Sequence, residues 1–158
     1  MENRNFLIFA VLAVVLLVIL FSNGTEEAVD KIVGRKLPGL DTDTSKTSID
    51  LDLILSGGPG KDGIPALSNP KFTSVESAEL KDGAFGVLVN VGGEKRYYPY
   101  NILVWHEIAN DSIGKHSFAV TFCPLCGSAI VIDRNVGGEI LDFGVSGYLY
   151  ESNLLMYD

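Results

Sequence analysis

The hydrophobic and polar positions divide the chain into three stretches of different character. From Phe6 to Phe21 the residues FLIFAVLAVVLLVILF form an unbroken apolar run. A helix apolar on every face has no wet side to offer a soluble domain. The run is slightly short of the roughly 20 residues that cross a hydrocarbon core of about 30 Å. Asn3, Asn5 and Ser22 sit where the interfaces would be and make up the difference. Residues 1–23 therefore predict one N-terminal transmembrane helix, retained as an anchor, that engages the membrane through residues 6–21. A cleaved signal peptide is the competing reading. It is disfavoured because Arg4 is the only basic side chain before the run and Ser22-Asn23-Gly24 the only tolerable cleavage site. Arg4 ahead of the run, with Glu26, Glu27 and Asp30 behind it, predicts a cytoplasmic amino terminus and an extracytoplasmic domain.

Residues 24–56 change to a polar, acidic pattern in which Asp41, Asp43, Asp50 and Asp52 are scattered among Ser and Thr, as in a tether. Only Ile49 to Leu55 alternates in the manner of a strand. Residues 57–158 read as one domain. Its first part, Ser56 to Pro65, is dense in Gly and Pro and predicts a structured loop. Neither GxGxxG nor GxxxxGK[ST] is present to make it a phosphate cradle.

Downstream, Thr73 or Ser74 can cap a short helix that runs to Leu80. Phe85–Val91 and Glu94–Tyr98 read as strands joined by a tight turn through Gly92-Gly93. The period then lengthens. Ile102, Leu103, Trp105, His106 and Ala109 can share one face of a helix over 99–110, with Asn110-Asp111 at its end. Ser117–Phe122 and Ala129–Asp133 predict strands on either side of a turn at Cys123–Gly127, and Asn135–Gly138 predicts another hairpin turn. Glu139–Phe143, Tyr148–Tyr150 and Leu154–Tyr157 are further strand candidates. The expected fold class is a β-rich α+β domain of antiparallel strands and hairpins with a few short helices.

Composition sharpens this picture at two points. Seventeen glycines and six prolines in 158 residues fit a turn-rich β domain. A net charge of −8 with no Lys/Arg cluster argues against nucleic acid as a partner.

The two cysteines, Cys123 and Cys126, lie in Thr121-Phe-Cys-Pro-Leu-Cys-Gly-Ser128. A Cys-x-x-Cys pair has three physical uses: half of a tetrahedral metal site, a dithiol redox couple, or a small structural disulfide. A thioredoxin-like pair opens a helix whose dipole lowers the thiol pKa, whereas Ala-Ile-Val-Ile after this pair is strand-like. The Pro and Gly placements instead match a knuckle between strands, which points two sulfurs at one ion. The leading expectation is transition-metal binding through Cys123, Cys126 and His106, with copper(I) or zinc as the ion suited to thiolate and imidazole. His106 competes with a bland role as a core-edge histidine bonded to backbone or to Glu107, and His116 reads as a turn residue. The alternative function is thiol–disulfide exchange with Cys123 attacking as the more exposed cysteine. A third is a binding module stapled by a Cys123–Cys126 disulfide. His106-Glu107 lacks the second histidine of HExxH, and the zinc deaminase pattern fails as well.

Several motifs in order, Asp62-Gly-Ile-Pro-Ala-Leu67, Asn69-Pro-Lys-Phe72, Tyr98-Pro99, Trp105-His-Glu107, Asn110-Asp111, Phe122 to Ala129, Phe143-Gly-Val-Ser-Gly147 and Asn153 to Asp158, resemble the bacterial and archaeal family known as domain of unknown function 3179 (DUF3179). The resemblance covers about Gly57 to Asp158. It implies an exported or membrane-anchored domain and brings no reaction with it. Members of that family continue past the Leu-Leu-Met-Tyr-Asp motif. The resemblance therefore implies a chain cut short at its C-terminus, with a strand edge left uncovered.

Overall fold

The computed structural model describes residues 36–158, so the expected span at 6–21 lies outside the described residues. Among the described residues no helix is long and apolar enough to cross a membrane. The chain divides into two units, Met1–Leu51 and Asp52–Asp158. In the described part of the first, residues 36–51 form turns. The Asp43 carboxylate accepts from the Ser45 hydroxyl at 2.5 Å and pairs with Lys46 at 3.3 Å, both on the surface.

The second unit is almost entirely β. In chain order its strands are β1 (Ile54–Ser56), β2 (Leu67–Ser68), β3 (Gly86–Val91), β4 (Glu94–Pro99), β5 (Ile108–Ile113), β6 (His116–Cys123), β7 (Ser128–Asp133), β8 (Asn135–Val136), β9 (Glu139–Ile140), β10 (Gly144–Tyr150) and β11 (Asn153–Tyr157). A single turn of helix, α1 (Tyr100–Leu103), follows β4. Four strands form a sheet in the order β2-β5-β6-β7, three form a second in the order β1-β10-β11, and β3-β4 and β8-β9 are hairpins. All pairings are antiparallel except β2 with β5. β1 falls inside the segment that reads as tether.

β6 organises the core because it is buried on both faces. Successive side chains of a strand point to opposite sides. Phe118, Val120 and Phe122 pack with Val89 and Tyr98 of the β3-β4 hairpin and with Leu103 of α1, while Ala119 packs with Ile108 and Val145 of β10. Cys123 has the parity of Ala119 and so lies on the β10-β11 side.

The structure corrects the expected helix over 99–110. Only Tyr100–Leu103 is helical, Trp105 and His106 lie in a turn, and Ile108 begins a central strand. Four residues past Leu103, Glu107 has a left-handed backbone (φ 57°) just before β5. Asn110 and Asp111 look like helix terminators but are buried in β5 because distant partners satisfy them. Asn110 exchanges two hydrogen bonds with the Phe143 backbone at 2.8 and 3.0 Å. Asp111 accepts from Arg96 Nη1 at 2.6 and 2.7 Å and from the Tyr98 hydroxyl at 2.6 Å. The helix expected to reach Leu80 is likewise a single 3-10 turn at Val75–Ser77. The strand candidate Glu139–Phe143 keeps only Glu139–Ile140, since the buried Arg134 side chain captures the Leu141 carbonyl and pairs with Asp142.

The Gly-rich loop after β1 is a strap across β10. Gly57 N–H donates to the Gly147 carbonyl at 2.8 Å and Asp62 N–H to the Val145 carbonyl at 2.9 Å, where the β10-β11 register shifts. Gly147 has φ 80°, and a Cβ there would lie 2.2 Å from the Pro59 carbonyl oxygen. Glycine is required at this crossing by both conformation and space.

Candidate functional site: a dithiol turn

The β6-β7 hairpin closes on the pair Cys123↔Ser128, leaving Pro124 to Gly127 as its turn. Pro124 pre-sets the first turn position. Gly127 supplies the left-handed conformation (φ 61°) that brings the chain back into β7 immediately after Cys126. A second turn meets this one. β10 and β11 are joined by Glu151-Ser152, and the tip carries Ser152 and Asn153 to the two sulfurs.

Both cysteines are free thiols in different surroundings. Cys123, 2% exposed, directs its Sγ–H to the Ser152 carbonyl at 3.5 Å. Cys126 is exposed, with its Sγ 3.0 Å from Ser128 Oγ, 3.6 Å from Asn153 Oδ1 and 3.8 Å from the Cys123 carbonyl oxygen. Burial pushes the Cys123 thiol up, with hydrogen bonding to Cys126 adding to the effect. Hydrogen bonding from the Cys123 side chain, and next from Ser128, holds Cys126 below the ordinary thiol range. The exposure expected from chain order is therefore reversed. Strand parity turns Cys123 inward, and the turn holds Cys126 in solvent.

His106 is half-buried in the turn between α1 and β5. The Glu107 carbonyl accepts from Phe122 N–H at 2.8 Å, so this turn shares the sheet end that carries the cysteines. One ring nitrogen of the imidazole is held by backbone. Nδ1 lies 2.8 Å from the Pro65 carbonyl, an acceptor, and so carries the proton. Among the described residues no three or more His, Cys, Asp or Glu side chains are grouped to hold a metal, so His106 is not brought into one set with the two thiols. His116 is exposed at the opposite end of β6.

Ser128, Ser152 and Asn153 were not legible as site residues. Ser128 had a local signal, since a hydroxyl two residues past a turn cysteine at a strand start can reach its sulfur. Ser152 and Asn153 had none, being brought in by a hairpin 29 and 27 positions away.

Two other clusters are structural in character. Arg96, Asp111 and Tyr98 form a closed network under the Phe72 ring, which lies 5.0 Å from the Arg96 guanidinium carbon. Burial and then Asp111 push the Tyr98 hydroxyl far above the ordinary tyrosine range. A cavity of about 330 Å³ lies among Asp62, Asn110, Asp142, Phe143 and Tyr157, and within its lining the Tyr157 hydroxyl donates to Asp62 at 2.6 Å.

A family model described as protein of unknown function (DUF3179) matches residues 61–158, which is more than half of the chain and contains both cysteines and both turns. No curated protein and no solved structure matches the chain.

Proposed function

We propose that this chain, which belongs to the DUF3179 family, is a membrane-anchored extracytoplasmic thiol–disulfide exchange domain in which Cys126 attacks and Cys123 resolves. The observation that carries this reading is the division of labour between two adjacent free thiols, one exposed beside a hydroxyl and one buried beneath it. The Cys126 thiolate attacks one sulfur of an external disulfide, forming a mixed disulfide and releasing the other half as a thiolate that takes up a proton. Cys123 then loses its proton and attacks Cys126 Sγ. A Cys123–Cys126 disulfide forms, the second external thiol departs, and two protein thiols have been oxidised while one disulfide is reduced. Run in reverse, the same steps oxidise a dithiol. An extracytoplasmic domain meets the disulfides that such a reaction needs.

Oxidised glutathione tests the assignment. The wild-type chain should end as the internal disulfide with two glutathione thiols released, and Cys123→Ser should stop at a glutathione adduct on Cys126. Cys126→Ser should do neither. Equal adduct formation on Cys123 in the Cys126→Ser chain would overturn it.

The knuckle form of the turn favours a second reading, in which Cys123 and Cys126 hold a soft ion, copper(I) or zinc, as thiolates. His106 would join them through Nε2, the ring nitrogen that the Pro65 bond leaves free. Metal analysis of the reduced chain separates the two readings. One ion per chain that is lost in Cys126→Ser supports the second, and a metal-free dithiol that turns over glutathione supports the first.

A further inference from the structure

Two of the contacts that hold the β10-β11 turn to the dithiol use thiol hydrogen atoms, which oxidation removes. Tyr150 pairs with Asn153, so Glu151-Ser152 is a two-residue hairpin loop, and both residues have positive φ, 48° and 69°. That is the I′ form, which favours Asn-Gly or Gly-Gly. Neither Glu nor Ser is at ease in it. The tip therefore depends on contacts outside itself, and these are with the sulfurs. Cys123 Sγ–H donates to the Ser152 carbonyl at 3.5 Å, and Cys126 Sγ, in its protonated form, donates to Asn153 Oδ1 at 3.6 Å. Asn153 Oδ1 also accepts from Leu154 N–H at 3.0 Å, tying the side chain to the start of β11.

We infer that the Glu151–Asn153 turn is a latch that reads the redox state of the Cys123–Cys126 pair, closed over the dithiol and released from the disulfide. The inference rests on the exchange reading above. Forming the disulfide takes both sulfur-bound protons and two electrons to the external disulfide, whose halves leave as thiols. Neither protein sulfur can then donate, and the Ser152 carbonyl and Asn153 Oδ1 lose their sulfur partners together. The latch also gates the second chemical step, because Cys123 must leave Ser152 to reach Cys126 Sγ. The released turn, with Glu151, Ser152 and Asn153 all on the surface, is where the oxidised protein differs from the reduced one.

Hydrogen exchange on the full chain in detergent tests this, comparing dithiothreitol-reduced protein with diamide-oxidised protein after diamide removal. Amides in the 150–155 segment should exchange about tenfold faster when oxidised, equivalent to about 1.4 kcal/mol, while β5 and the start of β6 stay unchanged. Under reducing conditions Cys123→Ala should reproduce the faster exchange, and Cys123→Ser, which keeps a donor, should not. Confirmed loss of both free thiols with no change at 150–155 overturns the latch and leaves the exchange reading intact. Retention of both thiols after diamide overturns the exchange reading. The latch contact is then decided by the Ala and Ser variants, and equal exchange in the two refutes it.

Discussion

A limiting amount of iodoacetamide added to the reduced chain should alkylate Cys126 and leave Cys123 nearly untouched. The reagent reacts with the thiolate, and a thiol of ordinary pKa, about 8.5, is roughly 10% ionised at about pH 7.5. Cys126 ionises more readily than an ordinary thiol because Cys123 and Ser128 hydrogen-bond its sulfur. Cys123 ionises less readily because burial penalises the charge. In this range each unit of separation is worth about tenfold in thiolate, partly offset by the lower nucleophilicity of the more acidic sulfur. Access multiplies the difference. Cys123 is 2% exposed at the end of a strand buried on both faces, so the reagent reaches it only through local opening. An opening that costs about 2.8 kcal/mol, well below the global stability of a domain, contributes about a hundredfold. Cys126 should therefore react at least about a hundred times faster. Timed quenching, digestion and mass spectrometry of the two labelled peptides give the ratio. The pH profile supplies the sign. A lowered pKa makes the Cys126 rate level off at lower pH than a free thiol, and Ser128→Ala should move that profile upward. Rates within threefold of each other, or Cys123 labelled first, would refute the assignment of roles.

Two predictions concern the frame that holds the site. Arg96→Met strands the buried Asp111 carboxylate, which keeps only Tyr98 and the Ser112 N–H. Breaking a buried pair costs about 3–5 kcal/mol; with the Arg96 side chain 23% exposed, about 2–3 kcal/mol in urea unfolding is expected. Adding Asp111→Asn should recover at least half, and an Arg96→Met chain within about 0.5 kcal/mol of wild type would contradict the network's role. Gly147→Ala forces both a positive φ and a clash with the Pro59 carbonyl, so a loss of about 2 kcal/mol or more is expected, with the 57–63 strap more open to protease. An unchanged unfolding midpoint would mean that the strap does not depend on this crossing.

Local pattern carried the parts of the fold whose determinants are local. The β3-β4 hairpin, β6 and β7 around the Cys turn, and β11 follow from alternation and turn chemistry within about ten residues, and the structure places them within a residue or so of expectation. The 99–110 segment failed for the opposite reason. By local pattern Asn110-Asp111 ends a helix, because a polar side chain is normally solvated unless a partner is supplied. Their partners, Phe143 and Arg96, lie 33 and 15 positions away.

Residue order alone places Cys123 and Cys126 in a turn between two strands. It could not determine which sulfur faces solvent. Inside and outside are ordinarily read from a strand's alternation, and from Phe118 to Cys123 β6 is apolar at every position but Thr121, being covered on both faces. Only the packing of β10-β11 against one of those faces buried Cys123, left Cys126 exposed and brought Ser152 and Asn153 to the sulfurs. Which thiol is buried and which exposed was decided by that long-range packing, which local periodicity does not encode.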